Sequence, residues 1–205
     1  MAKLLYFADP MCSWCYGYST VISHLAESHS VQVIMGGLRG IETPPMTLTT
    51  REKIQAHWKH VEDASAKAGA PVTFEFQHGI PEGFVYNTEP ACRAVVLVEQ
   101  WKPESVLPFM AAVQKEFYGK GKDVTQATRL AAIAEDFGFN AAEFLKRFDA
   151  KETATATREQ FITTQQFGVT GFPALMIEKD GEWHPISMGY TPLDVAEQKI
   201  AALSS

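Results

Sequence analysis

Cysteine is scarce in this chain: three in 205 residues, at positions 12, 15 and 92. Three cannot build the disulfide framework that staples small secreted domains. Positive charge is scarce as well. Lys and Arg number 18 against 24 Asp and Glu, for a net charge of −6, and no basic cluster stands out. Nucleic acid is therefore not an expected partner. The longest apolar runs fall far short of the roughly 20 residues of a membrane-spanning helix, so no membrane partner is expected. No secretory signal is expected either. After Met1-Ala2-Lys3 the chain passes straight into Leu4-Leu5-Tyr6-Phe7-Ala8, too short for a signal core, and cleavage there would destroy the cysteine motif that follows. The expected compartment is the reducing cytoplasm. Repeats and low-complexity segments are lacking too.

What is present is a 46% hydrophobic composition, enough to build a core, in a length suited to one large domain or a domain with a sizeable insertion. Within it stands Cys12-Ser13-Trp14-Cys15. A Cys-x-x-Cys between a strand-like run (3–8) and a helix-like run (12–28) is a redox signal. On a first helical turn this spacing brings the two sulfurs within bridging reach. The unpaired N–H groups of the helix start favour a thiolate there.

The order of elements is expected to be strand, helix, strand (31–35), then about a hundred helical residues, then helix, strand (174–178), strand (183–188) and helix. Thr49-x-x-Glu52 reads as a capping box for the first inserted helix. Residues 72–87 read as irregular. Thr88 and Pro90 start another helix, Asn140-x-x-Glu143 caps a short one, and a last helix runs from about 152 to 167. Asp180-Gly181 reads as a hairpin turn. The two ends must meet to form one sheet. This is an α/β chain in which residues 1–43 and 157–205 form one domain and residues 44–156 an inserted helical domain.

A second motif supports that closure. In Gly168-Val169-Thr170-Gly171-Phe172-Pro173 a proline opens a strand after a Gly-containing turn, where a missing donor is tolerated and a cis peptide bond can be accommodated.

Together, Cys12-Ser13-Trp14-Cys15 and Gly171-Phe172-Pro173 resemble the thioredoxin superfamily. The helical insertion after the second strand resembles its DsbA-like branch. The opening Tyr6-Phe7-Ala8-Asp9-Pro10-Met11-Cys12-Ser13-Trp14-Cys15-Tyr16-Gly17 is most similar to the cytoplasmic disulfide-isomerase or FrnE-like group. The resemblance covers essentially the whole chain. It implies a thioredoxin fold and a thiol–disulfide oxidoreductase of the reductase or isomerase type. It makes Cys12 the exposed attacking cysteine, Cys15 the buried resolving one and Pro173 a cis-proline facing them. Phe172 would offer backbone hydrogen bonds to an extended substrate, and Ser13 and Trp14 would set the thiolate environment. The implied partner is a disulfide- or thiol-bearing protein or small molecule. No cofactor is bound permanently, and glutathione or another thiol serves as redox partner. DsbA-like oxidants carry a His in the dipeptide. Trp14 replaces it here, which points away from a strong oxidant.

The competing chemistries are zinc and glutathione activation. Zinc needs two further ligands at compatible spacing. Only Cys92 and six histidines remain, and His57 and His60 share a helix of their own, so no metal is expected. The kappa-class transferases and hydroxychromene-carboxylate isomerases share the split architecture but use a serine where this chain has Cys12. Elsewhere, Asp9 reads as a turn residue before Pro10; if close to Cys12 it would instead disfavour a thiolate by like charge. Cys92 reads as buried packing or a third redox thiol, Thr88 as a plain N-cap or, with Asn87, a substrate contact. Arg39 reads as a solvated loop residue or an anion site at the sheet's carboxyl end. Phe74, Phe76, Phe84 and Tyr86 read as core, with part of their loop lining an apolar groove.

Overall fold

A computed structural model describes residues 1–75 and 80–204. Phe76, and the Gly79 of the irregular stretch, lie outside the described residues. The elements run β1 (Lys3–Ala8), α1 (Ser13–Gly17), α2 (Ser19–Ser28), β2 (Ser30–Met35), α3 (Leu48–Lys67), α4 (Glu89–Trp101), α5 (Val106–Gln114), α6 (Ala127–Glu135), α7 (Ala141–Phe148), α8 (Lys151–Gln166), β3 (Ala174–Lys179), β4 (Glu182–Met188) and α9 (Leu193–Ser204). A 3-10 turn at Pro103–Ser105 leads into α5, and a π-helical turn at Lys115–Gly119 leads out of it.

The four strands form one sheet in the order β2-β1-β3-β4. β1 pairs parallel with β2 and antiparallel with β3, and β3 pairs antiparallel with β4. β1 is continuously apolar because both of its faces are covered. Leu4, Tyr6 and Ala8 enter the large core together with Val21, Ile22 and Leu25 of α2 and Ala196 and Ile200 of α9. Leu5 and Phe7 point the other way, into a smaller cluster with Ile34, Val169, Ala174 and Met176. Pro185 sits on the edge strand β4, beside a register shift, where the missing N–H interrupts no central ladder. Asp180 and Gly181 both have positive φ, 55° and 82°, as a two-residue hairpin turn demands.

Two expectations are corrected here. The helix expected to run unbroken from residue 12 to 28 is split at Tyr18. Gly17 sits at the break, and a Cβ there would meet Val61 of α3 at 2.7 Å, so α3 packs tightly against the end of α1. The cap of α3 is Thr47, which accepts from the Thr50 amide at 3.2 Å. Thr49, expected as the cap, lies inside the first turn. Asn140 caps α7 as expected, accepting from the Glu143 amide.

Candidate active site

β1 ends at Ala8, and the loop Asp9 to Cys12 carries the chain to the start of α1. Cys12 takes the N-cap position with extended backbone (φ −94°, ψ 119°), and its carbonyl accepts from Tyr16 at 3.0 Å. Cys15 lies one turn in. Both are free thiols. Cys15 is fully buried, and burial pushes its thiol well up, with the neighbouring Cys12 sulfur adding to the shift. Cys12, expected to be exposed, retains only 6% of its surface. The physical reason is the other end of the chain. The Phe172–Pro173 bond is cis, and the Phe172 carbonyl comes within 3.6 Å of the Cys12 sulfur. The backbone expected to face the cysteines does so. Pro173 precedes β3, as required at the end of a central strand, and its carbonyl accepts from Gly189 at 2.7 Å.

Cys12 opens onto a recess of about 370 Å³, lined by Ser13, Trp14, Phe172 and Leu38 and, further out, by Arg39 and Tyr86, with Thr50, Lys53, Ile54, His57 and Trp58 of α3 opposite. The lining carries two cations and no carboxylate. A roomier recess of about 560 Å³ along the edge strand β2 is lined by Glu27, Glu99 and Glu104 and holds no cysteine. Chemistry therefore selects the smaller one. Ser13 is buried. Trp14 is half-buried, its ring edge-on to His57 at 5.7 Å and tilted against Tyr190 at 5.5 Å. Burial lowers the pKa of His57, and neighbouring His60 adds to this. Among the described residues no three His, Cys, Asp or Glu side chains gather as a metal site would require.

Asp9 is the residue that sequence reasoning placed least well. It is more than a turn residue: its side chain is fully buried. One carboxylate oxygen accepts from the Met11 amide at 2.8 Å. The other accepts from the Leu38 amide at 2.7 Å, the Thr88 hydroxyl at 2.6 Å and, more weakly, the Cys92 thiol at 3.4 Å. Burial raises its pKa, and these four donors pull it back. Thr88 is the N-cap residue of α4, as expected, but its hydroxyl goes to Asp9 and makes no capping hydrogen bond; Asn87 accepts from the Glu89 amide. Cys92 is buried packing, as one reading expected, with its thiol on Asp9. Tyr86 adds a second tie, donating to the Met11 carbonyl at 2.8 Å and sharing a hydrogen bond with Tyr118 at 3.0 Å. The insertion thus grips the cysteine loop through Thr88 and Tyr86. Arg39 stacks over the Tyr86 ring at 5.1 Å and is half-buried, so it is not a fully solvated loop residue. Phe74 is buried and Phe84 half-buried, so this loop is chiefly core, with Tyr86 reaching the recess. No local motif announces the Asp9–Thr88 contact. The one signal was an acidic residue in an otherwise apolar strand-to-helix loop.

Comparison with known proteins agrees with this architecture. A family model described as a DSBA-like thioredoxin domain matches residues 3–201. Among solved structures, one from Nitrosomonas europaea, named a "putative protein disulfide isomerase", is 36% identical with a TM-score of 0.88, covering 98% of this chain and 96% of its own. The cytosolic disulfide reductase DsbM from Pseudomonas aeruginosa is 20% identical with a TM-score of 0.77 and 98% coverage of both chains. A 2-hydroxychromene-2-carboxylate isomerase is 13% identical with a TM-score of 0.69, covering 98% of this chain and 96% of its own. The last two share the fold. A search of curated protein sequences returned no match. Nearly the whole chain falls within one family model, and the chain belongs to the DSBA-like thioredoxin domain family.

Proposed function

We propose that the chain is a thiol–disulfide oxidoreductase that cycles Cys12 and Cys15 between dithiol and disulfide, working as a reductase or isomerase. The observation that carries this reading is the meeting of a free thiol pair with the Phe172 carbonyl and cis-Pro173, 160 residues away in sequence, at the mouth of one recess. Cys12 attacks a substrate disulfide, one substrate sulfur leaves as a thiol, and a mixed disulfide forms through Cys12. Cys15 then attacks the Cys12 sulfur, the second substrate sulfur leaves, and the two electrons have passed from the dithiol to the substrate. The backbone of Phe172 aligns an extended segment beside the sulfurs by strand-like pairing. Burial around Cys15 disfavours its thiolate.

The cationic lining, Arg39 and Lys53 without a carboxylate, supports an anionic thiol or disulfide as substrate or redox partner. The Pseudomonas aeruginosa reductase of the same fold has been solved with glutathione, and glutathione is an anionic thiol of suitable size. A cytosolic place of action fits this reading. The test is turnover of a model disulfide by the reduced protein, with Cys12→Ser and Cys15→Ser beside it. Cys12→Ser is expected to lose at least 10³-fold, and Cys15→Ser to stall as a trapped mixed disulfide. Full turnover by Cys12→Ser, or glutathione conjugation as the sole activity found, would overturn the reading.

A further inference from the structure

Cys15 has a proton to lose and no surface through which to lose it. It is fully buried, yet resolution of a mixed disulfide requires its thiolate. Behind it lies a group of hydroxyls with an unusual property. Tyr6, Tyr18, Ser187 and Tyr190 each hold a hydroxyl oxygen sealed from solvent with no well-formed hydrogen bond among the described residues. A buried polar group left unmatched is costly, and four in one region call for a common explanation.

They are neighbours by construction of the sheet. Tyr6 on β1 stands opposite Leu175 on β3, and Leu175 stands opposite Ser187 on β4. Residues paired across strands share a face, so Tyr6 and Ser187 rise on the same side, two strand spacings apart, about 10 Å. Tyr18, at the break between α1 and α2, covers that gap. Its ring lies 5.9 Å from Tyr6 and 6.0 Å from Tyr190. Its hydroxyl neighbours that of Ser187, and neither makes a well-formed hydrogen bond among the described residues. Tyr6 and Cys15 share one core cluster, and Cys15 is near enough to raise the Tyr6 pKa. Tyr190 lies half-exposed against Trp14, at the edge of the active-site surface. The row runs from Cys15 outward, and gaps between facing hydroxyls are where a bound water finds its two to four polar partners.

Resting on the oxidoreductase reading, we propose that Tyr6, Tyr18, Ser187 and Tyr190, with bound water between them, form the proton path of Cys15. In the resolving step the Cys15 S–H passes its proton by way of bound water to the Tyr6 oxygen as the Tyr6 O–H proton moves on to water, Tyr18 or Ser187 and out past Tyr190. The Cys15 thiolate attacks the Cys12 sulfur, the Cys12–substrate bond breaks, and the departing substrate sulfur takes up a proton. Tyr6 never holds a net charge. Burial and the two nearby sulfurs push its pKa well up, which rules it out as a free-standing base and leaves it as a relay. Tyr6 is therefore a positioning residue for the proton, and it makes no demand on the first attack by Cys12.

The two steps separate in a single-turnover experiment with the reduced full-length protein and bis(2-hydroxyethyl) disulfide, acid-quenched and read by intact mass. Tyr6→Phe, Tyr18→Phe and Ser187→Ala are expected to form the Cys12 mixed disulfide within about twofold of the wild-type rate. They are expected to resolve it about tenfold more slowly, so that the mixed-disulfide mass accumulates. Resolution at the wild-type rate in all three, or equal slowing of both steps, overturns the proposal; equal slowing is what a merely structural role predicts. Should one variant fail to fold, the other two carry the test. A crystal structure gives the independent readout: ordered water between these hydroxyls is expected, and a dry, water-free cluster overturns the path whatever the activity. If the wild-type protein forms no mixed disulfide at all, it is the oxidoreductase reading that fails, and the path with it.

Discussion

Asp9 places a carboxyl in the protein interior, three residues before Cys12, with donors from three separate stretches of chain on its two oxygens. Its energetics have a definite sign. A carboxyl whose folded pKa exceeds its unfolded value stabilises the fold most in acid, below about pH 4, and that contribution fades as the pH rises through the folded value. Burial raises Asp9 and the hydrogen bonds only partly offset it, so Asp9 falls in this class. Asp9→Asn must turn an amide NH2 toward groups that are already donors, at a cost of about 1–3 kcal/mol. Denaturant unfolding from pH 4 to pH 8 is expected to show the wild type's advantage over Asp9→Asn largest near pH 4 and shrinking toward neutrality. An advantage that grows with pH would mean that the hydrogen bonds outweigh the burial. Gly36 makes a second argument at this scale. A Cβ there would overlap the edge of the Phe172 ring, 1.9 Å from its Cζ, so Gly36→Ala must move the residue whose carbonyl meets Cys12. Overpacking of this kind costs about 1–3 kcal/mol. Alkylation of Cys12 by iodoacetamide is expected to speed up severalfold, and an unchanged rate would show that the ring does not guard the sulfur.

Among the elements, the capping of α3 offers a clean comparison. The Thr47 hydroxyl accepts from the Thr50 amide, while Thr49 lies within the helix and does not cap it. Thr47→Ala is expected to cost about 1 kcal/mol, and Thr49→Ala less than half of that, both read from denaturant midpoints at constant slope; the reverse order would restore the cap to Thr49. Both residues offer a hydroxyl before the same apolar pattern, and two positions are inside the error with which sequence fixes a helix start. The break at Tyr18 was hidden for a different reason. Beside it Val61 approaches Gly17, a contact 44 positions away that helical periodicity cannot register. By contrast, β1, β2 and the β3–β4 hairpin were legible because a strand buried on both faces and an Asp-Gly turn each leave a local signature. The site divides in the same way. Cys12 and Cys15 were marked by their spacing, and Phe172 and Pro173 by turn chemistry and the family resemblance. The Asp9–Thr88 clasp and the row from Tyr6 to Ser187 depend on which strands and helices become neighbours, and sequence distance conceals that.

For the whole molecule, charge is distributed unevenly. The chain carries a net −6, yet Arg39 and Lys53 line the recess over Cys12 with no carboxylate among its walls. Local attraction and global repulsion act over different distances, and about 0.15 M salt screens beyond roughly 8 Å. An exposed ion pair contributes about 0.2–1 kcal/mol. The double variant Arg39→Ala, Lys53→Ala is therefore expected to raise KM for oxidised glutathione about two- to tenfold while leaving that for uncharged bis(2-hydroxyethyl) disulfide within twofold. Equal change for both would deny the cations a role in selection.

The sheet order has one more consequence. The cysteine pair lies within the first 15 residues, but the carbonyl and proline that cover it arrive 160 residues later. At about 5–20 residues per second the growing chain spends roughly 8–30 s with its two front thiols uncovered, while Cys92 emerges as a third. A nascent chain held in oxidising surroundings thus has time to bridge the wrong sulfurs, and correct thiol chemistry depends on the redox state of the place where the protein is made.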